Sequence, residues 1–371
     1  MPQIRIDPLS GHRTIVAGER SRRPGGEPRC EPPEPIDPAE DPFGEGHEER
    51  TPPELYAVRP GGGPPNSPGW LVRVVPNLYP ALTPTAETET GGEAGELASG
   101  IREDIREGGP ARPRAYTRAR GQSDLEHLPQ LSSPGRAPHD SELFAALPAV
   151  GAHEVIVNGP QPVLSLAELP AEQVAVAVAV WRERMEVHAQ SAYVQLIVNE
   201  RREAGASLPH THAQLYALEF VPAEVARERE RANAYATRTM GQDLLEDLIA
   251  EEVRRGERIV AIDDEAVLLA PYASRLPLQL MLAPRRPNPH FHEDTAGAAL
   301  LHDGLRRLAR LLGSSPPLNM WVRTAPRGAE RFCWRIDIAP RLTHLAGLEL
   351  STGVNLNIVA PEHAASLLRD V

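Results

Sequence analysis

Apolar residues recur along this chain in short alternating runs set apart by stretches of helical spacing, and the same order of runs is used twice. The first set opens with Trp70-Leu-Val-Arg-Val-Val-Pro-Asn77 and His153-Glu-Val-Ile-Val157. Their length and β-branched content predict strands. A helix is predicted over Glu172–Ser191, then strands over Tyr193–Val198 and His210–Leu218. The second set has strands at Ala266–Pro271 and Leu278–Ala283, a helix at Ala296–Leu312, and strands at Leu318–Val322 and Phe332–Ala339. Strand, strand, helix, strand, strand, written twice, predicts an α+β protein of two related units, each an antiparallel sheet with helices packed on it. The expected domains are 1–222 and 223–371, with the charged helical stretch from Pro222 to about Gly256 as connection. Residues 24–66 and 83–140 are rich in Pro and Gly and read as irregular. The second stretch is an expected insertion in the first domain, with one short helix near Glu96–Glu107.

Composition narrows the class. The chain has 371 residues, 41% hydrophobic, enough to bury a core and build about two domains. The net charge is -12 and there is no basic run, so a nucleic-acid backbone is excluded as partner. All 39 basic residues are arginine. Schiff-base lysine chemistry and a phosphate-loop lysine are therefore excluded, and any anion must be held by guanidinium groups, backbone N–H groups or helix N-termini. The two cysteines, Cys30 and Cys333, support neither a disulfide framework nor a Cys-x-x-Cys knuckle. No apolar run approaches the roughly 18 residues of a membrane span, and the first residues lack an apolar signal segment. No membrane partner and a reduced, cytoplasmic location are expected.

The candidate chemistry lies in Gly205-Ala-Ser-Leu-Pro-His-Thr-His-Ala-Gln-Leu-Tyr216. In a strand, residues two apart share a face, so His210, His212 and Gln214 are expected to project together. Two imidazoles and an amide on one face are costly to bury unless paired, which points to a site. A neutral imidazole can attack phosphorus near pH 7 while its neighbours hold the displaced charge. Gly205 lets backbone N–H groups approach phosphate oxygens, Ser207 offers a hydroxyl, and Asn199 an amide. Arg20, Arg22 and Arg23 add a basic group near the N-terminus. The internal repeat sets Cys333, Arg335 and Asp337 opposite His210, His212 and Gln214, so the paired histidines belong to the first unit alone. Pro289-His-Phe-His292 is a second His-x-His, in a Pro-rich loop, and is assigned no role.

With these residues in place the chain resembles the galactose-1-phosphate uridylyltransferase family, the transferase branch of the histidine-triad superfamily. The likeness runs through Asp7-Pro-Leu-Ser-Gly11, Glu19-Arg-Ser-Arg-Arg-Pro24, Glu49-Arg-Thr-Pro-Pro-Glu54, Val74-Val-Pro-Asn-Leu-Tyr-Pro-Ala-Leu82, His153–Val157, the histidine motif, Ala346–Glu349 and Ser351-Thr-Gly353. It implies two histidine-triad-like domains and a ping-pong transfer of UMP between UDP-glucose and a hexose 1-phosphate. His212 would carry the covalent nucleotidyl group, with His210 as its oriented neighbour. Gln214, where the superfamily's hydrolases have a third histidine, would stabilise the intermediate. Asn199, Gly205 and Ser207 would contact phosphates; Arg20, Arg23 and Asn77 the nucleotide; Glu349 the sugar. The implied partners are a UDP-sugar and a sugar 1-phosphate, and the implied assembly is a homodimer.

The chain departs from the family at its metals. Many members bind zinc through Cys-x-x-Cys, a later histidine and the first histidine of the motif; here those places read Asp41-Pro-Phe-Gly44, Pro162 and His210. A second site in some members uses a glutamate and three histidines; here Glu228, Arg323, Cys333 and Arg335 stand there. Zinc takes about four N, S or O ligands, so no metal cofactor is expected, and Cys30 with His47 is the remaining unorthodox donor pair. Two alternatives remain open. One is an adenylyltransferase or phosphorylase acting on an ADP-sugar or dinucleoside polyphosphate. The other is a non-catalytic nucleotide-binding descendant.

Overall fold

A computed structural model of the chain describes residues 1–22, 30–84, 144–329 and 331–371. The expected helix near Glu96–Glu107 and Arg23 lie outside the described residues, and so does the side chain of Arg22.

The first half contributes β3 (Tyr56–Val58), β4 (Val72–Pro76), β5 (Gly151–Val157), α1 (Ala171–Val187), β6 (Tyr193–Glu200) and β7 (His212–Leu218). Two helices follow, α2 (Ala223–Arg238) and α3 (Leu244–Arg255). The second half contributes β8 (Ile259–Ile262), β9 (Ala266–Leu269), β10 (Leu280–Pro284), α4 (Ala298–Leu312), β11 (Leu318–Arg323) and β12 (Arg335–Pro340). The sheet order is β3-β4-β5-β7-β6-β11-β12-β10-β9-β8, antiparallel throughout. The order within each half is the same, read outward from the centre, as the doubled hydrophobic pattern predicts. The two halves do not form separate sheets: β6 pairs with β11, Val198 opposite Met320 and Ile197 opposite Trp321, making one ten-stranded sheet. Free edges are costly to leave exposed, and this pairing closes one edge of each half.

Alternation explains the layering. Along β7 the burial pattern alternates, with Ala213, Leu215 and Ala217 fully covered. These residues face α1 and α4 in one large apolar core with Leu196, Val198, Trp181, Leu301 and Leu305. The indole of Trp181 donates to Asn158 Oδ1 at 3.0 Å, so this large core side chain leaves no polar atom unmet. The opposite face carries His212, Gln214 and Tyr216, beside a small apolar cluster of Phe43, Trp70, Val75, Val155 and Val157. A separate three-stranded sheet joins β1 (Gln3–Ile6), β2 (Arg13–Val16) and β13 (Asn355–Asn357), near α5 (Gly347–Thr352) and α6 (Pro361–Arg369). No helix among the described residues is long and apolar enough to cross a membrane.

Candidate functional site

The strand expected from His210 begins two residues later, at His212. The cause lies in the hydrogen bonds of Thr211. Its carbonyl accepts from Asn158 N at 3.3 Å, one step beyond the β5 register, but its N–H turns off the ladder to Val163 O at 2.8 Å. His212 and Gln214 therefore alternate along β7 on one face, opposite Val157 and Val155 of β5. His210 stands before the strand, its ring wholly buried.

His210 is gripped at both nitrogens. Nδ1 lies 2.6 Å from Asp41 Oδ2 and Nε2 lies 2.8 Å from Gly159 O. Both partners are acceptors, so both ring nitrogens carry protons, and the ring is an imidazolium facing a carboxylate. Burial would raise the Asp41 carboxyl; the hydrogen bond and charge of His210, with the Phe43 N–H at 3.0 Å, outweigh it and hold the carboxyl below its usual value. His47 Nδ1 bonds Asp41 O at 2.7 Å and steadies the same loop.

The backbone of His210 then sets its neighbour. His212 Nδ1 donates to His210 O at 2.7 Å. A carbonyl only accepts, so the proton of His212 is on Nδ1 and the lone pair is on Nε2. Burial lowers the basicity of His212, outweighing the help of that carbonyl, so the ring stays neutral and nucleophilic at neutral pH. Phe43 meets the ring edge-on, with centroids 5.2 Å apart. A neutral imidazole locked in one tautomer and one orientation is what attack on phosphorus requires.

Gln214 lies two residues along. Its Oε1 is 3.1 Å from His153 Nε2 and accepts from Tyr216 Oη at 2.8 Å. On the other side of His212, the register Val198–Ala213 brings Asn199 of β6 alongside, and Asn199 Oδ1 accepts from Asn319 Nδ2 at 2.8 Å. Gly205 closes the turn after β6 with φ 90° and ψ 14°. A side chain there meets no atom within 4 Å, so the demand for glycine is conformational. Gly205→Ala is expected to cost about 1 kcal/mol and to weaken nucleotide binding severalfold, read by thermal melts and titration calorimetry. Ser207 is exposed and lines a cleft of about 730 Å³ with Arg201, Arg202 and Ala206.

The structure thus brings together His210, His212, Gln214 and Asn199, while Gly205 and Ser207 lie on the turn between β6 and β7, at a cleft that these four do not line. Of the other described candidates, Asn77 reaches the site, and Arg20 and Glu349 lie elsewhere. Asn77 meets the site through His153: its Oδ1 accepts from Tyr79 N at 2.8 Å and its amide nitrogen lies 3.1 Å from His153 Nε2. Arg20 lines a groove of about 1010 Å³ beside β1, β2 and His363, whose walls include no residue of the histidine motif. Glu349 is exposed, and its Oε2 accepts from Ala346 N at 3.0 Å as a cap of α5. Sequence reading missed His153, Tyr216 and Asn319 as side chains of the site. Their signal was pairing register: His153 falls opposite Tyr216, and Asn319 opposite Asn199.

The family's metals do not fit these residues. Zinc needs a free ligand nitrogen, and both nitrogens of His210 are engaged. At the second position Arg335 forks onto Glu228 at 2.9 and 3.0 Å, and Arg323 lies 3.5 Å away. Two guanidinium cations thus face the one carboxylate of that set. Burial pushes the Cys333 thiol up to about 12, so it stays protonated. Cys30 and His47 are engaged separately, Cys30 with Arg201 at 3.0 Å and His47 with Asp41.

Comparison with known proteins agrees with this geometry. Residues 126–222 match the family described as galactose-1-phosphate uridyl transferase, N-terminal domain. A galactose-1-phosphate uridylyltransferase of Haemophilus influenzae is 31% identical over 61% of this chain and 69% of its own length. The chain belongs to the galactose-1-phosphate uridylyltransferase family. Within that family it is also similar, 25% identical over 100% of this chain and 93% of the relative, to an ADP-glucose phosphorylase of Arabidopsis thaliana. A crystal structure of an ADP-glucose phosphorylase from Arabidopsis thaliana with bound ADP-glucose superposes with a TM-score of 0.72 at 24% identity, covering 100% of this chain and 99% of the other. A uridylyltransferase structure gives 0.64 at 22% identity, covering 100% and 98%. Both share the fold of mixed helices and large antiparallel sheet. The family supports a nucleotidyltransferase or phosphorylase enzyme.

Proposed function

We propose that this chain transfers a nucleoside monophosphate from a nucleotide sugar through a covalent nucleotidyl-His212, and that the nucleoside is adenosine. The observation that carries the chemistry is the bond from His212 Nδ1 to His210 O, which leaves Nε2 as the only nucleophilic nitrogen. Nε2 attacks the phosphorus of the nucleoside monophosphate, the bond to the bridging oxygen breaks, and sugar 1-phosphate leaves. The nucleotidylated ring becomes cationic, and the His210 carbonyl stabilises it through Nδ1–H. An acceptor phosphate then attacks the same phosphorus and frees Nε2. With inorganic phosphate as acceptor the products from ADP-glucose are glucose 1-phosphate and ADP.

UMP transfer between UDP-glucose and a hexose 1-phosphate is the reading that resemblance puts first. What supports adenosine over it is the match to ADP-glucose phosphorylase along the whole chain, whereas the uridylyltransferase relative matches 61% of it. Incubation with α-32P-labelled ADP-glucose and UDP-glucose separates the two. Label from ADP-glucose in excess over UDP-glucose is expected; preferential labelling by UDP-glucose would overturn the adenosine assignment. No label from either would leave a nucleotide-binding protein without transfer activity.

The reaction is proposed to run without a resident metal, because the Asp41–His210 ion pair fills the zinc position. Label formation also has an expected pH profile. The His212 pKa is lowered, so the neutral form persists as pH falls through the usual imidazole value of 6.5. Single-turnover labelling at pH 6 is therefore expected to stay close to its rate at pH 7.5, with the acid limb below 6.5. An acid limb centred above pH 7 would contradict the neutral, buried ring.

A further inference from the structure

The chain has four tryptophans, and three of their indole N–H groups meet a side-chain acceptor. Trp70 donates to Glu48 at 2.7 Å, Trp181 to Asn158 at 3.0 Å and Trp334 to Asp294 at 2.7 Å. The fourth, Trp321 of β11, has its Nε1 buried and, among the described residues, without a hydrogen-bond partner. Arg323 lies two residues on, so it shares a face of the strand with Trp321. Its Nε is buried and unmet in the same way, and stands 3.5 Å from Glu228 Oε1. Buried donors are nearly always met, so two unmet ones on one face need a cause.

Both residues line one cavity of about 80 Å³. It lies on the sheet face opposite Met320 and Val322, which enter the large apolar core. Register puts it where the histidine site lies in the first half. Trp321 pairs with Asp337 and Arg323 with Arg335, as Ile197 pairs with Gln214 and Asn199 stands beside His212. Arg275 also lines the cavity, its guanidinium 5.7 Å from the centre of the Trp321 ring. Among the described residues that guanidinium makes no hydrogen bond and no close ion pair.

The walls also carry four carboxylates and His12, and each is engaged. Asp7 accepts from Leu9 N at 3.2 Å, from Ser10 N at 3.1 Å and from the Ser10 hydroxyl. Glu224 lies 3.0 Å from His12 Nε2 and is bonded by Arg227. Arg335 holds Glu228 at 2.9 and 3.0 Å and Asp337 at 3.0 Å. A cation therefore finds no free carboxylate here, and none is left to balance Arg275. An indole N–H and a guanidinium can only donate, so whatever meets Trp321, Arg323 and Arg275 must accept. Two of these three donors are cations, which favours a charged acceptor over water.

We propose that this cavity is an anion site of the second half, taking a small tetrahedral oxyanion such as inorganic phosphate on Trp321 Nε1, Arg323 Nε and Arg275. The cavity is far smaller than the roughly 300 Å³ at which pockets for whole organic ligands begin, so the anion enters bare and not as part of a nucleotide sugar. The site stands apart from the reaction at His212, and neither depends on the other.

The Trp321 indole is its own reporter. Protein labelled with 15N at the indole nitrogens gives one N–H signal for each tryptophan, and Trp321→Phe identifies the relevant one. Titration with sodium phosphate, with chloride holding the ionic strength constant, is expected to move the Trp321 signal downfield to saturation. The signals of Trp181 and Trp334, already bonded, are expected to stay. Arg275→Met is expected to weaken the phosphate response about 10-fold, the value of a hydrogen bond to a charged group. Glucose 1-phosphate distinguishes a free anion from a phosphoryl group on a sugar, and is expected to bind more weakly than phosphate.

A Trp321 signal that ignores phosphate, or moves only in step with those of Trp181 and Trp334, would overturn the proposal and leave water as the acceptor. An undiminished response in Arg275→Met would overturn it as well. Tighter binding of glucose 1-phosphate would overturn the assignment to a bare anion. Should Arg275→Met fail to fold, the wild-type titration decides alone. It needs no nucleotide and no turnover, so it is read equally well if neither nucleotide sugar labels the protein.

Discussion

His212→Ala is expected to abolish covalent labelling and to lower turnover by roughly 10⁴-fold or more, the loss seen when an enzyme's nucleophile is removed. Sugar phosphate or water cannot take over the step, because the ring provides the reactive atom and not an accessory charge. Binding is expected to survive. Gln214, Asn199 and the Gly205 turn remain, and the ring lies on a strand whose ladder contacts to β5 and β6 do not depend on its side chain. Calorimetry with ADP should therefore give an affinity within a few fold of wild type while activity vanishes. Loss of binding along with activity would mean that His212 is a structural member of the pocket. Retained activity would remove it from the mechanism altogether.

Asp41→Ala is expected to have the largest effect on stability, about 3–5 kcal/mol, because it leaves a buried imidazolium without its counter-ion. The side chains of Asp41 and His210 are both 0% exposed, so water cannot replace the carboxylate. Asp41→Asn should be milder. An amide can donate to Nδ1, and the neutral ring can keep its Nε2–H bond to Gly159 O. The sign of the pH dependence follows from the lowered carboxyl pKa. A depressed carboxyl contributes stability above its unfolded value of 3.8, and this is lost as pH falls through the still lower folded value. The carboxylate's own share of the gap between wild type and Asp41→Ala should thus persist down to about pH 4 and be lost only below it. Thermal melts across pH check this. The same ion pair is why metal analysis of tag-free protein is expected to find no stoichiometric zinc. Stoichiometric zinc lost on Asp41→Ala would mean that the carboxylate is a ligand and not a counter-ion.

Much of this architecture was open to reading from periodicity, and the reason is physical. β6 and β7 alternate between one apolar face and one mixed face, and α4 carries its leucines at helical spacing, so burial is written into local sequence. The pairing of β6 with β11 is not, because nothing local says whether an edge strand meets solvent or another edge. His212 and Gln214 were visible as a pair because strand periodicity puts them on one face. His210 was misplaced for the opposite reason. Thr211 gives its N–H to Val163 and not to the ladder, and that partner lies far away in sequence. Asp41 is 169 positions from His210, and only the fold reveals that its carboxylate pairs with that ring. Arg20 and Glu349 were carried in by resemblance alone, and in this chain they sit at a surface groove and a helix cap.

The second half shows what becomes of the same frame without histidines. Arg335 and Asp337 start β12 as His212 and Gln214 start β7, and Arg335 Nε bonds Asp337 at 3.0 Å. A guanidinium held by Glu228 and Asp337 has no lone pair to offer. The repeat therefore preserves packing in both halves and nucleophilic chemistry in one.

The account stands most directly on where the nucleotide becomes attached. The protein is incubated with ADP-glucose, quenched in alkali to preserve a phosphoramidate, digested and analysed by mass spectrometry. One AMP on the peptide that contains His210-Thr-His212, localised to His212 and absent from His212→Ala, is the predicted result. AMP on His210, on any other residue, or on the His212→Ala protein would contradict it.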